Sequence, residues 1–263
     1  MLKIEVKNLT LAYGHNTVVR DISFAFEAGR MTGLVGPNGC GKSTVIKAIS
    51  RVMAPASGGV TCNGRDVSCI PHMELARLVG VVPQIPLLPS NFTAFEVVLM
   101  GRNPHLGLFQ YEGPRDMEIA RRSMEQTRTE HLAGRRIGEL SGGEIQSVVI
   151  ARVLAQQTEG ILLDEPTSNL DIGRQIEVLD LMKDLCRSQG LTVGVALHDL
   201  NLAVQYCDRL ILLHEGRIKA EGTPAEVVTQ ENIREVYGAG SAVYSIDGLP
   251  AILPRAGSSL SAR

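Results

Sequence analysis

The chain has 263 residues, 44% apolar and 21% charged, with 26 basic against 28 acidic side chains and a net charge of −2. That balance offers no general pull toward nucleic acid or anionic lipid, and 4% aromatic content without tryptophan counts against base stacking. Lys3, Glu5 and Lys7 break up any signal-peptide core, no apolar run approaches the roughly 18 residues of a spanning helix, and the five cysteines (Cys40, Cys62, Cys69, Cys186, Cys207) contain no C-x-x-C pair. A soluble or peripheral protein of a reducing compartment is expected, built as one large domain or one with a small subdomain.

In chain order, Leu2, Ile4 and Val6 alternate with charged residues as a half-solvated strand, and Met31 to Val35 reads as a more buried one. The chain between them reads as antiparallel sheet. Helices are predicted over 41–53, about 72–78, 94–101, 115–130, 142–157 and 172–189. The apolar runs 79–82, 160–163 and 192–197 do not alternate, which is the mark of parallel strands buried on both faces. In the helix over 172–189, Ile172, Ile176, Leu179, Met182 and Leu185 form a stripe that predicts one face packed on the sheet. Leu210 to Leu213, the Glu215-Gly216 turn and Arg217 to Ala220 form a late hairpin. Thr223-Pro-Ala-Glu226 then starts a helix with a capping box and proline at its first position. Residues 256–263 are small and polar enough to fray.

The strand ending at Val35 is followed by Gly36-Pro37-Asn38-Gly39-Cys40-Gly41-Lys42-Ser43-Thr44, a G-x-x-x-x-G-K-[ST] match that opens a helix. Glycines let successive backbone N–H groups curl round a phosphate and the helix N-terminus adds positive dipole. Lys42 reaches the β and γ oxygens, and Ser43 can ligate Mg²⁺. Cys40, inside this loop, is either a small filler or a thiol whose modification blocks nucleotide. Farther along, the run Gly160 to Glu165 is a buried strand ending in two acids, where α/β sheets bind ligands. Asp164 would hold Mg²⁺ and Glu165 would polarise an attacking water. By itself the pair is equally a solvated turn before Pro166. His198 also ends an apolar strand and taken alone reads as a structural residue; Gln84 is unremarkable alone. Tyr13 either packs on the surface or stacks on a purine. Ser141-x-x-Glu144 is a capping box, so this loop is a helix N-terminus able to meet an anion, or a capped helix and nothing more.

Leu140-Ser141-Gly142-Gly143-Glu144, taken with Tyr13, the phosphate loop over 36–44, Gln84, Leu162 to Glu165, Ser168-Asn-Leu-Asp171 and His198 in that order, resembles the ATP-binding-cassette family from end to end. The resemblance implies an α/β P-loop NTPase fold with a RecA-like core, an antiparallel β subdomain and an inserted helical subdomain at about 86–158. It implies a cassette domain over 1–238 and an extension over 239–263, with a small hairpin near 239–254. It further implies that two copies sandwich two ATP molecules, the Ser141, Gly142 and Gly143 loop of one facing the γ-phosphate held by the other. Tyr13 would contact adenine, Gln84 would sense Mg²⁺ and the lytic water, His198 would hold the γ-phosphate, and Asp171 would bridge subunits. The chain departs from the commonest signature at Glu144, where Gln is usual, and at Ile145 and Ser147. The extra negative charge of Glu144 bears on hydrolysis more than on binding.

Within the family, the stretches 101–109, 164–172 and 198–203 resemble cassettes serving importers of iron-siderophore, haem and cobalamin. The implied partners are a second copy of the chain in an ATP-dependent homodimer, an integral-membrane permease and, indirectly, a periplasmic or surface substrate-binding protein, with no nucleic acid. The implied location is peripheral, on the cytoplasmic face of the cell membrane. The permease would dock beside Gln84 and the segment from Asn91 to Tyr111, through apolar residues among Phe92, Phe95, Leu99, Leu106, Leu108 and Phe109. The alternative is a soluble cassette ATPase without a permease, resembling those of iron–sulfur cluster assembly.

Overall fold

The computed structural model describes residues 1–107, 109–168, 170–238 and 241–254. Leu108 and Asn169, and the fraying expected of 256–263, lie outside the described residues. The chain opens with β1 (Ile4–Tyr13) and β2 (Asn16–Phe26), an antiparallel hairpin, then β3 (Met31–Val35), α1 (Lys42–Ile49), β4 (Ser57–Cys62) and the two-residue β5 (Arg65–Asp66). Next come α2 (His72–Leu78), β6 (Val79–Val82), α3 (Ala94–Leu99), α4 (Pro114–Gln126) and α5 (Gly142–Ala155). β7 (Gly160–Asp164), α6 (Ile172–Gln189), β8 (Thr192–Ala196), α7 (Leu200–Tyr206), β9 (Arg209–His214) and β10 (Arg217–Gly222) follow. The chain closes with α8 (Pro224–Val227), α9 (Gln230–Tyr237), β11 (Ser241–Ile246) and β12 (Leu249–Pro254).

A six-stranded sheet of order β10-β9-β3-β8-β7-β6 forms the centre; β6, β7, β8, β3 and β9 are parallel and β10 is an antiparallel edge. Its inner strands β3, β7 and β8 are buried along their whole length because both faces are covered, whereas the edge β10 alternates charged and apolar residues. Ile161, Leu163, Val193, Val195, Leu210 and Leu212 point into one core with α6 and α7, whereas Leu162, Ala196, Ile211 and Leu213 point into the other. That second core is shared with α1 and a four-stranded sheet of order β2-β1-β4-β5. A third cluster, with Val97, Val98, Met124, Leu132 and Ile137, sits among α3, α4 and α5. α5 serves two clusters: Val149, Ile150 and Val153 face the central core, Val148, Ala151 and Ala155 the helical one.

A 3-10 stretch, Met100–His105, binds this helical region together. Arg102 is buried; its Nε donates to Asp116 Oδ1 at 2.9 Å on α4, and its Nη1 donates to Ala155 O at 2.8 Å and Gln157 Oε1 at 3.0 Å after α5.

The stripe on α6 is only partly a packing face. Leu179, Met182 and Leu185 are buried, but Ile172 and Ile176 are 75% and 40% exposed, because the first turns of α6 run out past the central core. Of the apolar residues over 91–111, Phe92, Phe95 and Leu99 pack against the helical cluster, and Phe109 stands out. The hairpin β11–β12 lays Val243 and Ile252 on the central core. Each of its outer edges meets a side-chain amide. Asn201 of α7 donates to Ile252 O at 3.1 Å and accepts from Ile252 N at 2.8 Å, and Gln230 of α9 donates to Ser241 O at 3.0 Å and accepts from Val243 N at 2.9 Å.

Candidate active site

Between β3 and α1 the chain turns back over the sheet through Gly36, Gly39 and Gly41, all with φ in the left-handed region. Gly36, at φ +146°, allows no side chain, since a Cβ there would lie 2.1 Å from Leu213 O of β9. Gly41, at φ +110°, caps α1 without a side-chain bond and leaves its first N–H groups free for an anion. Lys42 is 3% exposed; its Nζ donates back to Gly36 O at 2.8 Å and Pro37 O at 3.2 Å, so the ammonium closes the loop into a ring. Pro37, Asn38 and Gly39 form the outer rim and Thr44 is buried in α1.

Cys40 turns its thiol to the inner side of the loop, where a Cβ on Gly36 would lie 2.8 Å from its Sγ. It is 5% exposed, packed in the core beneath the antiparallel sheet, and burial raises its pKa against the lowering pull of Lys42. The filler reading is the one this geometry supports.

The carboxylates meet the loop from β7. Ser43 Oγ donates to Asp164 Oδ1 at 2.7 Å. Burial raises the Asp164 carboxyl pKa, opposed by the Ser43 bond and assisted by the neighbouring charge of Glu165. One residue on, Glu165 turns with φ +50°, held by its N–H on Ala196 O at 3.2 Å and by Ser168, whose hydroxyl donates to Glu165 O at 3.1 Å. Such a conformation costs a non-glycine residue about 1–2 kcal/mol and aims the side chain out of the strand line. The carboxylate is gripped on both oxygens: Gln84 donates its amide N–H to Oε2, and His198 Nε2 pairs with Oε1. Gln84 lies just after β6 and His198 just after β8, so three neighbouring parallel strands deliver three side chains to one point at their C-terminal ends.

Ser141, Gly142 and Gly143 form a second centre, at the start of α5. With Glu144, Leu170, Asp171 and Arg174 they line a concavity of about 520 Å³ that no phosphate-loop residue enters. Asp171 caps α6 by accepting from Arg174 N at 2.9 Å. Ser141 caps α5, and Glu144 Oε2 accepts in return from Ser141 N at 2.8 Å and Ser141 Oγ at 2.7 Å. Tyr13, half-exposed, pairs with Asn16 at the tip of the first hairpin; Asn16 lies on the wall of a cavity of about 560 Å³ that reaches Gly39.

Three features escape sequence reading. Arg20, Arg217 and Lys219 bring cationic side chains to the cavity beside Gly39, from segments nearly 200 residues apart. Gln175 fixes the turn after β7, its amide donating to Thr167 O and Leu170 O at 3.0 Å each. Arg135 Nη1 reaches Glu144 Oε1 at 3.2 Å and pairs with the charge that sets this signature apart; its only sequence signal is a cation nine residues before an unusual acid.

The profile of a family described as "ABC transporter" matches residues 19–168. The ferric enterobactin transport ATP-binding protein FepC of Escherichia coli (strain K12) is 41% identical over 254 residues, spanning 96% of this chain and 94% of that protein. Among solved structures, a subunit of a metal-chelate type ABC transporter in an inward-facing conformation superposes with a TM-score of 0.82 at 29% identity, covering 96% of this chain and 97% of that one. The dimeric structure of MJ0796, a bacterial ABC transporter cassette, superposes with a TM-score of 0.76 at 30% identity, covering 84% and 98%.

Proposed function

Since the chain belongs to the ATP-binding-cassette transporter family, we propose that it powers import of an iron chelate, haem or cobalamin through a separate membrane permease, working as a pair of copies that share two ATP molecules. The chain is an ATPase of the P-loop class with the family's α/β fold. The chelate reading is supported by the relative that serves ferric enterobactin and by the metal-chelate type neighbour. A cassette of this family dimerises, as the MJ0796 structure does.

In this reading the ring of Gly36 to Thr44 binds the phosphates, with Lys42 exchanging its two carbonyl partners for β and γ oxygens. Ser43 and Asp164 offer a hydroxyl and a carboxylate already 2.7 Å apart, and Gln84 adds an amide oxygen. This is a hard, oxygen-only set with a single carboxylate, and it fits Mg²⁺, which takes one or two protein groups and completes its shell with water and phosphate. Ser43, Asp164 and Gln84 would hold the ion, which would supply charge neutralisation for phosphoryl transfer. Glu165 accepts a proton from the attacking water, Gln84 and His198 fix the direction of its carboxylate, and His198 holds the γ-phosphate. Tyr13 stacks on the adenine, and Ser141, Gly142, Gly143 and Asp171 act on the second copy.

The observation that carries the ATPase assignment is the double grip on Glu165 one residue from the Ser43–Asp164 pair. Glu165→Gln keeps size and hydrogen bonding but loses the charge, and a general base is worth about 10²–10⁴ in rate. The expected result is retained MgATP binding, a turnover lower by that factor, and an ATP-dependent dimer in sedimentation. Wild-type turnover in Glu165→Gln overturns the assigned base. For the importer, Ile85 and Leu87, beside Gln84, and Phe109 and Tyr111 are each at least 75% exposed, an apolar set suited to a docking partner. They favour a permease-bound cassette over a free one. Among the described residues no helix is long and apolar enough to cross a membrane, and with a separate permease as its partner the proposed location is peripheral, on the cytoplasmic face. Co-purification with a multispanning subunit from detergent-solubilised membranes is expected; recovery of the chain without one favours the free ATPase of iron–sulfur assembly type.

A further inference from the structure

An anion approaching the N-terminus of α5 meets free N–H groups and a favourable dipole, but also a carboxylate in the first turn. Glu144 is ionised in this setting: two donations from Ser141 and the nearby Arg135 lower its pKa. The charge does double damage if left alone. It repels a phosphate, and through Oε2 it claims the Ser141 hydroxyl proton that a phosphate would otherwise receive. The opposite wall of the 520 Å³ concavity adds Asp171. Arg174 lines the same concavity, but it contacts Glu177 at 3.4 Å and makes no ion pair with Glu144.

Arg135 is placed to answer both effects. Its Nη1 takes Glu144 Oε1 at 3.2 Å, the oxygen Ser141 does not use, while Nη2 donates to Glu139 O at 2.6 Å. Its main chain is anchored too: Arg135 N donates to Leu132 O at 2.8 Å, and Arg135 O accepts from Ala94 N, in the first turn of α3, at 2.9 Å. Among the described residues Arg135 is the ion-pair partner of Glu144. We infer that Arg135 is a positioning residue of the shared ATP site, holding and neutralising Glu144 so that the N-terminus of α5 can accept the γ-phosphate carried by a second copy of the chain. The inference rests on the ATP-sandwich reading above.

A double-mutant cycle in the Glu165→Gln background tests it, with the dimer dissociation constant measured by sedimentation in saturating MgATP. Helix-terminus charge effects predict that Arg135→Ala weakens the dimer about three- to tenfold at roughly 50 mM salt, and less at about 0.5 M. MgATP affinity of the monomer, which uses the chain's own phosphate loop, stays unchanged. Arg135→Lys keeps most of the dimer affinity. The decisive arm is Glu144→Gln: with no charge to balance, adding Arg135→Ala to it leaves the dimer within about twofold. An equal loss from Arg135→Ala with and without Glu144→Gln shows that Arg135 acts only by holding Glu139 O, and overturns the inference. No loss in either background also overturns it. Arg135→Gln, which keeps a donor for Glu139 O without the charge, repeats the test if the alanine variant misfolds. If the Glu165→Gln parent itself stays monomeric with ATP bound, the sandwich reading falls and takes the inference with it. A dimeric parent indifferent to Arg135 removes the inference alone.

Discussion

Replacing Arg102 by Met keeps most of the buried stem and removes the guanidinium. Three bonds go with it: the ion pair to Asp116 and the donations to Ala155 O and Gln157 Oε1. Gln157 is exposed and turns to water at little cost, whereas Ala155 O loses a donor inside the protein. Asp116 suffers most, because its side chain is 15% exposed and keeps only the Gly113 N–H, at 3.0 Å. Stranding one member of a buried pair costs about 3–5 kcal/mol. The surviving Gly113 bond and the partial exposure put the loss at the low end, about 3 kcal/mol, or a fall of roughly 6–12 °C in midpoint for a chain of this size. Urea and thermal unfolding measure it, and hydrogen exchange should locate the weakening in α4 and the end of α5. The pH dependence gives a second check. The Arg102 guanidinium, with the Gly113 N–H, holds the Asp116 carboxyl pKa below its ordinary value. Its contribution is therefore complete above the unfolded pKa of about 3.9 and is lost as pH falls through the depressed folded value. The gap between wild type and Arg102→Met should narrow below about pH 4. A loss under about 1 kcal/mol at neutral pH would refute the view that this pair ties the helical region together.

Cys40, buried and with a raised pKa, should react with maleimide at least about tenfold more slowly than exposed Cys69 at neutral pH, since the thiolate is the nucleophile; equal rates by peptide mass mapping contradict the burial. Phe109→Asp, at a 92% exposed position with φ +65° that Asp tolerates better than Phe, should leave unfolding within about 0.5 kcal/mol of wild type. It should abolish chelate uptake in reconstituted vesicles while sparing ATPase, and undiminished uptake removes Phe109 from the docking surface.

What the sequence made legible follows from how local each signal is. The phosphate loop, the doubly covered strands and the span of α6 are written in contiguous residues, and the glycine and apolar patterns there allow few alternatives. Ile172 and Ile176 misled because a helical period records which side is apolar and not how far along the helix the sheet extends. Cys40 stayed open between filler and blocking thiol because membership of the loop says nothing about which way a small side chain points. Gln84 and His198 had roles only by resemblance until strand order put β6 and β8 on either side of β7, the strand that leads to Glu165. Arg135 and Arg102 stayed hidden for a related reason: a charge is read as solvated unless its partner, 9 or 14 residues away in these cases, is known to face it.

The two amides that grip the C-terminal hairpin bear on how this protein keeps from sticking to itself. A two-stranded ribbon presents an unpaired row of N–H and C=O groups on both sides, an open template for strand addition by another chain. Gln230 occupies Ser241 O and Val243 N on one side, and Asn201 occupies both groups of Ile252 on the other, so each amide fills the place of a neighbouring strand at the position where recruitment would begin. Tyr244, Ile246, Leu249 and Leu253 are 44–54% exposed on the same ribbon. The amides therefore guard an exposed apolar ribbon, and a change at Asn201 or Gln230 would register first as lost solubility in the crowded cell, before any loss of ATP turnover.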